Sequence, residues 1–471
     1  MRFVVFLNGL VLVFTSLLML IVTLFFPDTA RIFGEAGLLT GFFGTVLALS
    51  CVTSGTRIRH IHAFLLTSSI WITAALAGAL PLYLWSLSPV DALFESMSGI
   101  TTTGSTVMSG LDQTPHGILI WRSILQALGG IGFIVTGIAL LPFLKVGGMQ
   151  LFRTESSDKG ENELGNATRF AGATLLVYLS LIVLCFFVYL VGGMTVFDAV
   201  LHALSTLSSG GYSSHDKSFG YFESPFLQWS ATLFMLCAAL PFAWFIRATR
   251  QRRFRSEQIG FMLLSLALVI VPFSVWVTFR EEIPLTEALR HVSFSVISVV
   301  STTGFATVDY TTWGPFAAAV FLCLTLVGGC TGSTSGGGKA MRWILVLRTI
   351  RLQMRKIRHP RAVTVLRYED RPVSEDVVSG VISFFIFYAS TIGLLSVLLS
   401  QMGLDISSAV SAAITSVANV GPGVGDVLGP SGNFASLSDL SKLALVFGMF
   451  VGRLEMLTVY VLLTPVFWRE I

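Results

Sequence analysis

The chain has 471 residues, of which 54% are apolar and only 12% are charged. In soluble domains about a quarter of all residues are usually charged, so this composition excludes an ordinary water-soluble fold and indicates a polytopic membrane protein. The formal net charge is +4, but basic and aromatic residues are not interleaved, which argues against a nucleic-acid-binding surface.

Ten apolar stretches are candidate membrane crossings, because about 20 helical residues span ~30 Å of hydrocarbon. The first, Phe3 to Phe26, has no small-residue cleavage site and is predicted to be a retained span. The second, Leu38 to Cys51, is short by this criterion. In chain order, the others cover residues 61–85, 117–144, 170–191, 226–246, 259–279, 315–347 with an interruption, 377–402 and 443–467.

The distribution of Lys and Arg predicts the orientation, since these residues accumulate in cytoplasmic loops. With the N-terminus inside, 23 of the 30 basic residues fall on the inner side, so both termini are predicted to be cytoplasmic. The longest basic segment, Arg348 to Arg361, follows the interrupted stretch directly. It is a candidate contact for anionic lipid or a cytosolic partner.

A four-fold internal repeat underlies this pattern. Four eight-residue blocks align, SGITTTGS, STLSSGGY, SVVSTTGF and TSVANVGP, which end at Ser105, Tyr212, Phe305 and Pro422. Each block follows a short, mostly apolar stretch of about ten residues, which as a helix reaches about half of the hydrocarbon and has to turn back. Non-helical backbone at membrane depth survives only inside protein or beside water, so the four hairpins are predicted to surround a wet axis.

The blocks also indicate a chemistry. Glycine at the seventh position permits backbone dihedral angles closed to other residues, so consecutive carbonyl groups can face the axis and replace the hydration shell of a cation. The C-terminal ends of four half-helices add partial negative charge there. The candidate cation-binding residues are Thr102, Thr103, Gly104, Ser209, Gly210, Gly211, Thr302, Thr303, Gly304, Asn419, Val420 and Gly421.

The eighth apolar stretch is interrupted by a glycine-rich segment, residues 328–338. Its six glycines are Gly328, Gly329, Gly332, Gly336, Gly337 and Gly338. An interior glycine costs a helix about 1 kcal/mol relative to alanine, so a helix is predicted to stop near Val327 and to restart near Lys339. The segment departs from the phosphate-binding GxxxxGK[ST] pattern, because Ala340 follows the lysine, and ATP binding is excluded. Close helix packing by small residues is one interpretation of it.

Arg453 and Glu455 are the only charged residues between Val446 and Leu463. An ionisable residue at membrane depth is a functional candidate that needs a partner. Glu455 is a poor partner, because residues two apart on a helix do not face each other. Arg453 is therefore predicted to face the wet axis, where it raises the energy of a passing cation, or to clamp carbonyl groups of the glycine-rich segment.

The sequence offers no constellation for catalysis or for a resident metal. The five cysteines form no CxxC pair, and the seven histidines show no HExxH motif or clustered ligand spacing. We therefore expect neither an enzymatic activity nor a cofactor in this chain.

The four M1, re-entrant helix, M2 repeats and a set of short motifs together resemble the Trk/Ktr/HKT superfamily of potassium transporters over essentially the whole chain. The motifs are TTTG, SSGG, STTG, ANVG, GGCTGSTSGGGKAMR at 328–342 and GRLE at 452–455. The helix pair before the first repeat makes the chain most similar to the bacterial TrkH branch. The resemblance implies an all-α polytopic membrane protein with four repeats of M1, re-entrant half-helix and M2 around a pseudo-four-fold pore. The predicted divisions are an N-terminal helix pair (1–56) and pore repeats over 57–150, 151–256, 257–371 and 372–471.

The resemblance also implies a function, potassium uptake across the bacterial inner membrane, with potassium bound as the substrate at the twelve candidate residues. The glycine-rich segment is then an intramembrane gate below this filter, with Arg453 beside it. The implied partners are membrane lipid, a second copy of the chain in a homodimer, and a cytosolic TrkA-type nucleotide-binding regulator.

Two alternatives stay open. An ion-coupled potassium symporter driven by sodium or protons would be expected to show intramembrane acids, and Glu455 is the sole candidate, which favours a pore. A less selective sodium/potassium transporter is compatible with Asn419 and Val420, because the fourth block has these residues instead of threonine.

Overall fold

The computed structural model describes residues 2–51, 60–139, 163–252, 254–361, 365–425, 428–430 and 432–470. Over these ranges the chain forms eighteen α-helices and one short hairpin, which confirms the all-α fold class. Six helices are long and apolar enough to cross a membrane, and two bent helix pairs qualify as further spans. The predicted division points at 56/57 and 150/151 lie outside the described residues, as do the loop charges at Arg57 and Arg59.

The N-terminal helix pair consists of α1 (Arg2–Phe25) and α2 (Ala30–Ser50). Their backbones approach closely, because a Cβ atom added to Gly9 would lie 2.7 Å from the backbone nitrogen of Ala48. Small residues at such a contact let van der Waals packing hold helices together in lipid. The second helix begins well before the predicted Leu38, and an exposed Arg31–Glu35 ion pair of 2.8 Å stabilises its first turns.

Each of the four repeats contains a long first helix, a half-helix and a second helix. The first repeat has α3 (His60–Trp85), α4 (Pro89–Ile100) and α5 (His116–Ala139), and the second has α6 (Glu163–Val191), α7 (Val196–Leu207) and α8 (Pro225–Ala239), continued by α9 (Phe242–Gln251). The third repeat has α10 (Glu257–Glu281), α11 (Leu285–Val300) and α12 (Pro315–Thr325), continued by α13 (Ala340–Arg358). The fourth repeat has α14 (Glu375–Gln401), α15 (Ile406–Ala418) and α16 (Asp439–Arg453), continued by α17 (Leu457–Tyr460). The chain ends in α18 (Pro465–Glu470), and a hairpin of β1 (Arg367–Tyr368) and β2 (Arg371–Pro372) lies between α13 and α14. The four short helices of 12 to 16 residues confirm the predicted half-helices.

Three of the four half-helices begin at a side-chain N-cap, whereas the third, α11, begins after Pro284 without one. The side chains of Ser88, Thr195 and Asp405 each accept a hydrogen bond from the backbone N–H three residues later, at 3.0–3.1 Å. Such a cap satisfies one of the free N–H groups of the first turn. The side of the protein at which the four half-helices begin is called the mouth face below.

The four repeats close into a ring. Each second helix packs against the half-helix of the following repeat: α5 on α7, α8 on α11, α12 on α15, and α16 back on α4. The half-helices are therefore enclosed, and their apolar residues belong to the buried clusters of the protein. This closure produces the predicted pseudo-four-fold arrangement.

Within the described residues, which stop at Ala139 in the first repeat, three of the second helices are interrupted, although the sequence predicts an interruption in only one. The predicted break between Val327 and Lys339 is confirmed, because α12 ends at Thr325 and α13 begins at Ala340. The predicted spans over 226–246 and 443–467, for which the sequence indicates no interruption, are each bent pairs of helices. The helices α8 and α9 meet at 94°, and α16 meets the turn that begins with α17 at 108°.

The break between α8 and α9 has a backbone explanation. Pro241 lacks an N–H group and stops the helix. The glycine-rich segment satisfies the backbone groups that the break frees: Cys330 N–H donates to Ala239 O at 2.9 Å, and Phe242 N–H donates to Gly332 O at 3.0 Å. Irregular backbone at membrane depth is tolerated where protein supplies such partners.

Candidate functional site

Each half-helix ends in the same hydrogen-bonded turn. In every repeat the N–H group of the sixth block residue donates to the carbonyl of the first: Thr103 to Ser98 (2.8 Å), Gly210 to Ser205 (2.9 Å), Thr303 to Ser298 (2.9 Å) and Val420 to Thr415 (2.9 Å). The N–H group of the fifth residue donates to the carbonyl of the second, at 3.0–3.3 Å. Together these bonds form a Schellman motif, which satisfies two of the terminal helix carbonyls and releases the chain from the helix.

The fifth residue of each block adopts a left-handed backbone conformation. The φ angles of Thr102, Ser209, Thr302 and Asn419 lie between 54° and 58°. Asparagine tolerates this region, whereas threonine rarely adopts it, and strain of about 1–3 kcal/mol persists only where the surroundings enforce it. Sequence reasoning placed the special backbone at the glycines alone and missed this feature.

Three of the four block glycines also have positive φ angles: 84° at Gly104, 75° at Gly211 and 82° at Gly304. Gly421 does not, so among the block glycines this conformation occurs only in the first three repeats. A glycine is needed at position 421 because the first block lies very close to it: a Cβ atom on Gly421 would lie 3.0 Å from the backbone of Gly104.

The segments 101–104, 208–211, 301–304 and 418–421, called the ring segments, touch one another in cyclic order. A Cβ atom on Gly104 would lie 2.1 Å from Gly210 O, and one on Gly211 would lie 1.9 Å from Thr303 O. Asn419 closes the circle, because its Nδ2 donates to Thr103 Oγ1 at 3.0 Å. All twelve residues predicted as cation ligands therefore lie in one contiguous ring.

The glycine-rich segment lies directly against three of the ring segments, and a Cβ atom added to Gly336 would lie 2.5 Å from Ala418 O of the fourth. Gly336 N–H donates to Thr302 Oγ1 at 2.8 Å, and the hydroxyl groups of Ser209 and Thr334 are 2.9 Å apart. The corresponding oxygens of the other two repeats, Thr102 Oγ1 and Asn419 Oδ1, are buried and accept no hydrogen bond from the described residues.

Glycine is required where the segment folds back on itself. A Cβ atom on Gly328 would lie 2.4 Å from Gly336 O, and one on Gly337 would lie 2.7 Å from the Cα of Gly328. The φ angles of Gly328, Gly332 and Gly337 are 74°, 82° and 72°. All six glycines predicted for the gate belong to this folded segment, in which glycine allows the chain to fold back on itself as well as to pack against neighbouring helices.

Arg453, at the end of α16, bridges the glycine-rich segment to the first repeat. Its guanidinium donates to Thr334 O at 2.9 Å and to Gly129 O at 3.2 Å, and its side chain is buried. Of the two roles predicted for Arg453, the contact with a carbonyl of the segment matches the clamp. Thr334 in turn contacts Ser209, so the arginine is one residue removed from the ring.

Glu455 forms a buried ion pair with Arg342 on α13. The sequence did not predict this pair, and Arg342 was counted there as a basic residue of an inner loop. In the structure the Arg342 side chain is buried, and its guanidinium lies 3.8 Å from the ring centre of Phe384. Lys339, also counted as an inner-side charge, is buried and donates to Ser335 O. The φ angle of Glu455 is 63°, so this residue has left the helix on which the prediction placed it.

A second buried ion pair lies behind the first ring segment. Arg122 on α5 donates to Glu95 on α4 at 2.7 Å, and both side chains are almost fully buried. Glu95 also accepts hydrogen bonds from the N–H of Val107 and the hydroxyl of Thr106. Sequence reasoning did not single out either charge, because their positions, 27 residues apart, carry no shared pattern.

A titratable cluster lies at the mouth face, in two loops and the first turn of α7. The His215 imidazole hydrogen-bonds to Asp112, lies 3.5 Å from Asp198 and stacks on the ring of Tyr221. Burial lowers the pKa of His215, but the carboxylates of Asp198 and Asp112 outweigh it and raise the pKa above the ordinary value. The hydrogen bond from His215 in turn lowers the pKa of Asp112.

This cluster predicts a pH-dependent stability. A histidine with a raised folded-state pKa stabilises the fold fully below about pH 6.5 and loses this contribution as the pH rises through the raised value. We expect His215→Gln to lower the unfolding free energy by about 1 kcal/mol near pH 5.5 and by much less at pH 9. Thermal unfolding of purified protein at both pH values measures the difference. An equal loss at both would contradict an ionic role for His215.

Within the described residues, no group of three or more His, Cys, Asp or Glu side chains is placed to hold a metal ion. The donors at the candidate site are hydroxyl, amide and backbone oxygens, which suit weakly held monovalent cations better than a resident transition metal.

Comparisons with known proteins agree with this architecture. The family model TrkH, described as cation transport protein, matches residues 31–270 and 258–468. The Trk system potassium uptake protein TrkI of Halomonas elongata is 47% identical over 413 residues, covering 86% of this chain and 84% of that protein. The Trk system potassium uptake protein TrkH of the same organism is 36% identical over the full length of both chains. A crystal structure of the potassium transporter TrkH from Vibrio parahaemolyticus superposes with a TM-score of 0.91 at 30% identity and covers 99% of each chain.

Proposed function

This chain belongs to the TrkH family of cation transport proteins, and we propose that it takes up potassium through a pore lined by the four ring segments. The main support is the closed ring itself, in which four equivalent turns bring twelve predicted ligands together. Carbonyl and hydroxyl oxygens in such a ring can replace the hydration shell of a cation. The curated relatives that match over most of their length are named as potassium uptake proteins, which supports potassium as the ion.

We place the filter at the fifth to seventh residues of the four blocks. Thr102 Oγ1 and Asn419 Oδ1 are buried oxygens not engaged by the described residues, and they suit a cation better than an apolar contact. Val420 packs its side chain into an apolar cluster, so this substitution for threonine leaves only its backbone to face the ring. The second candidate function is a transporter that discriminates less between potassium and sodium, and Asn419 is the one departure from threonine that supports it.

We assign the gate to the glycine-rich segment and Arg453. The segment contacts the ring at Ser209 and Thr302, so a cation leaving the ring in this direction meets it at once. Arg453 holds the segment through Thr334 O and also places a buried positive charge beside the path. Movement of the segment would then open the pore.

Regulation by a cytosolic nucleotide-binding protein of the TrkA type fits the helix that follows the gate. The last turns of α13 carry Arg355, Lys356 and Arg358, which are exposed on the side opposite the mouth face. A partner that pulls on α13 would act on the glycine-rich segment through Lys339 and Arg342. We further propose a homodimer in the bacterial inner membrane with both termini cytoplasmic, which places the mouth face outside.

The direct test is ion flux in proteoliposomes. For purified wild-type protein we expect the reversal potential to follow the potassium gradient and to respond only weakly to an equal sodium gradient. A reversal potential that follows both ions equally would support the less selective candidate and contradict a potassium filter. Potassium flux that requires a sodium or proton gradient would identify an ion-coupled carrier instead.

A further inference from the structure

Gln126, in the middle of α5, makes two hydrogen bonds to the backbone of the second ring segment. Its Nε2 donates to Gly210 O at 2.6 Å, and its Oε1 accepts from Tyr212 N–H at 3.2 Å. The side chain is fully buried. Only one orientation of the amide places its NH₂ group against a carbonyl and its oxygen against an N–H group, so the assignment follows from the contacts.

The position of this amide explains why the second block departs from the others. The sixth residue is Thr103, Thr303 or Val420 in the other repeats but Gly210 here. A Cβ atom on Gly210 would lie 2.3 Å from the Gln126 Cδ and 2.5 Å from its Oε1. The glutamine thus occupies the space that the side chain of the ring segment fills in the other three repeats.

Two consecutive glycines make this ring segment the most flexible of the four in the unfolded chain, so its native conformation needs support from outside. Gln126 supplies that support on both sides of Gly211. One turn earlier on α5, Arg122 donates to Ser213 O at 3.3 Å and lies 4.0 Å from the ring centre of Tyr212. One face of α5 therefore holds the segment from residue 210 to 213.

The held carbonyl matters to the whole ring. Gly210 O lies only 2.1 Å from the place that a Cβ atom on Gly104 would take, so its position sets how closely the first and second ring segments approach. A displacement of this carbonyl changes the width of the ring between two repeats. The other three ring segments carry a side chain at this position, and those of Thr103 and Thr303 hydrogen-bond within their own segments to Thr101 and Ser301 at 2.8 Å.

We propose that Gln126 is a positioning residue for ion selectivity, and that Gln126 and Gly210 act as one unit in which α5 provides the side chain that the second ring segment lacks. This inference rests on the proposed function only for its effect on selectivity. The complementarity of the two residues stands on the geometry alone.

The experiment is a double-mutant cycle between the two residues. Gln126→Met keeps the volume of the side chain but removes both hydrogen bonds, and we expect it to reduce the preference for potassium over sodium about tenfold. Gly210→Thr alone should abolish selective flux and lower the thermal stability, because its Cβ collides with the amide. Gln126→Ala alone completes the cycle, and combined with Gly210→Thr it frees that space, so the double variant should be more stable and more selective than Gly210→Thr.

Gln228→Ala is the matched control, because Gln228 is a buried glutamine on α8 whose amide bonds to Phe222 O, away from the ring. It should leave ion preference unchanged. Wild-type preference in Gln126→Met, or additive stability losses in the double variant, would overturn the inference. If the wild-type protein itself did not distinguish the two ions, the proposed function would fail, while the stability cycle would still decide whether the two residues form a unit.

Discussion

Replacing Gly211 by alanine is expected to abolish selective cation flux while the protein still inserts and folds. Two costs combine at this position. The φ angle of 75° disfavours any side chain by about 1–2 kcal/mol, and the new Cβ atom would lie 1.9 Å from Thr303 O, which forces the second and third ring segments apart. Overpacking of this kind costs a further ~1–3 kcal/mol, so a loss of potassium preference of tenfold or more should follow. Reversal potentials in potassium and sodium gradients measure it.

Gly110→Ala separates the two costs. Gly110 has a similar φ angle of 71°, but no atom lies within 4 Å of an added Cβ. This variant should share the backbone strain of Gly211→Ala and keep the ion preference of the wild type. If both variants lost selectivity equally, or if neither did, the contact between Gly211 and Thr303 would have no role in the filter.

Replacing Arg453 by alanine is expected to raise basal cation flux several-fold in the absence of any regulator. Arg453 ties Thr334 of the glycine-rich segment to Gly129 on α5, and each charge-assisted hydrogen bond of this kind contributes about 1.5–3 kcal/mol. Without the guanidinium the segment loses this one link between Thr334 and Gly129, and a buried positive charge near the proposed path disappears. Flux of rubidium or potassium into proteoliposomes at matched protein density measures the change.

Arg453→Lys distinguishes the two contributions. Lysine retains the charge but lacks the planar fork that reaches two carbonyl groups at once. An electrostatic barrier predicts flux near the wild-type level for the lysine variant, whereas a clamp predicts flux like that of the alanine variant. Wild-type flux in both variants would show that Arg453 has no role in the proposed gate.

Glu455 is not a neutral comparison for these variants. It pairs with Arg342 in the interior, and removing one partner of a buried ion pair costs about 3–5 kcal/mol. A change in flux on mutation of Glu455 would therefore include a general loss of stability. The pair joins α13 to the break after α16, so two of the interrupted second helices are fastened to each other next to the gate.

The three interruptions share a physical cause. The glycine-rich segment cannot hydrogen-bond itself as a helix, and at membrane depth its backbone groups need protein partners. Ala239 and Phe242 supply them at the break between α8 and α9, and Arg453 supplies another at the end of α16. One irregular segment is thus accommodated by irregular backbone in its neighbours.

Local sequence patterns were sufficient to predict the main helical elements of this protein. The spacing of the apolar stretches, the four blocks and the run of six glycines predicted the half-helices, their turn at membrane depth and the break before Lys339. Each of these features is decided within about twenty residues by helix length, apolar periodicity or the cost of glycine in a helix.

The features that only the tertiary structure decided depend on residues far apart in the chain. Gln126 meets Gly210 across 84 positions, Arg342 meets Glu455 across 113, and Arg453 meets Thr334 across 119. No local pattern encodes such pairs, because each one exists only after the ring has closed and a buried polar group has to find a partner. The sequence by itself therefore determined the repeats and predicted the kind of oxygen that would line the ring. The fold decided which side chains hold the ring segments and the glycine-rich segment in place.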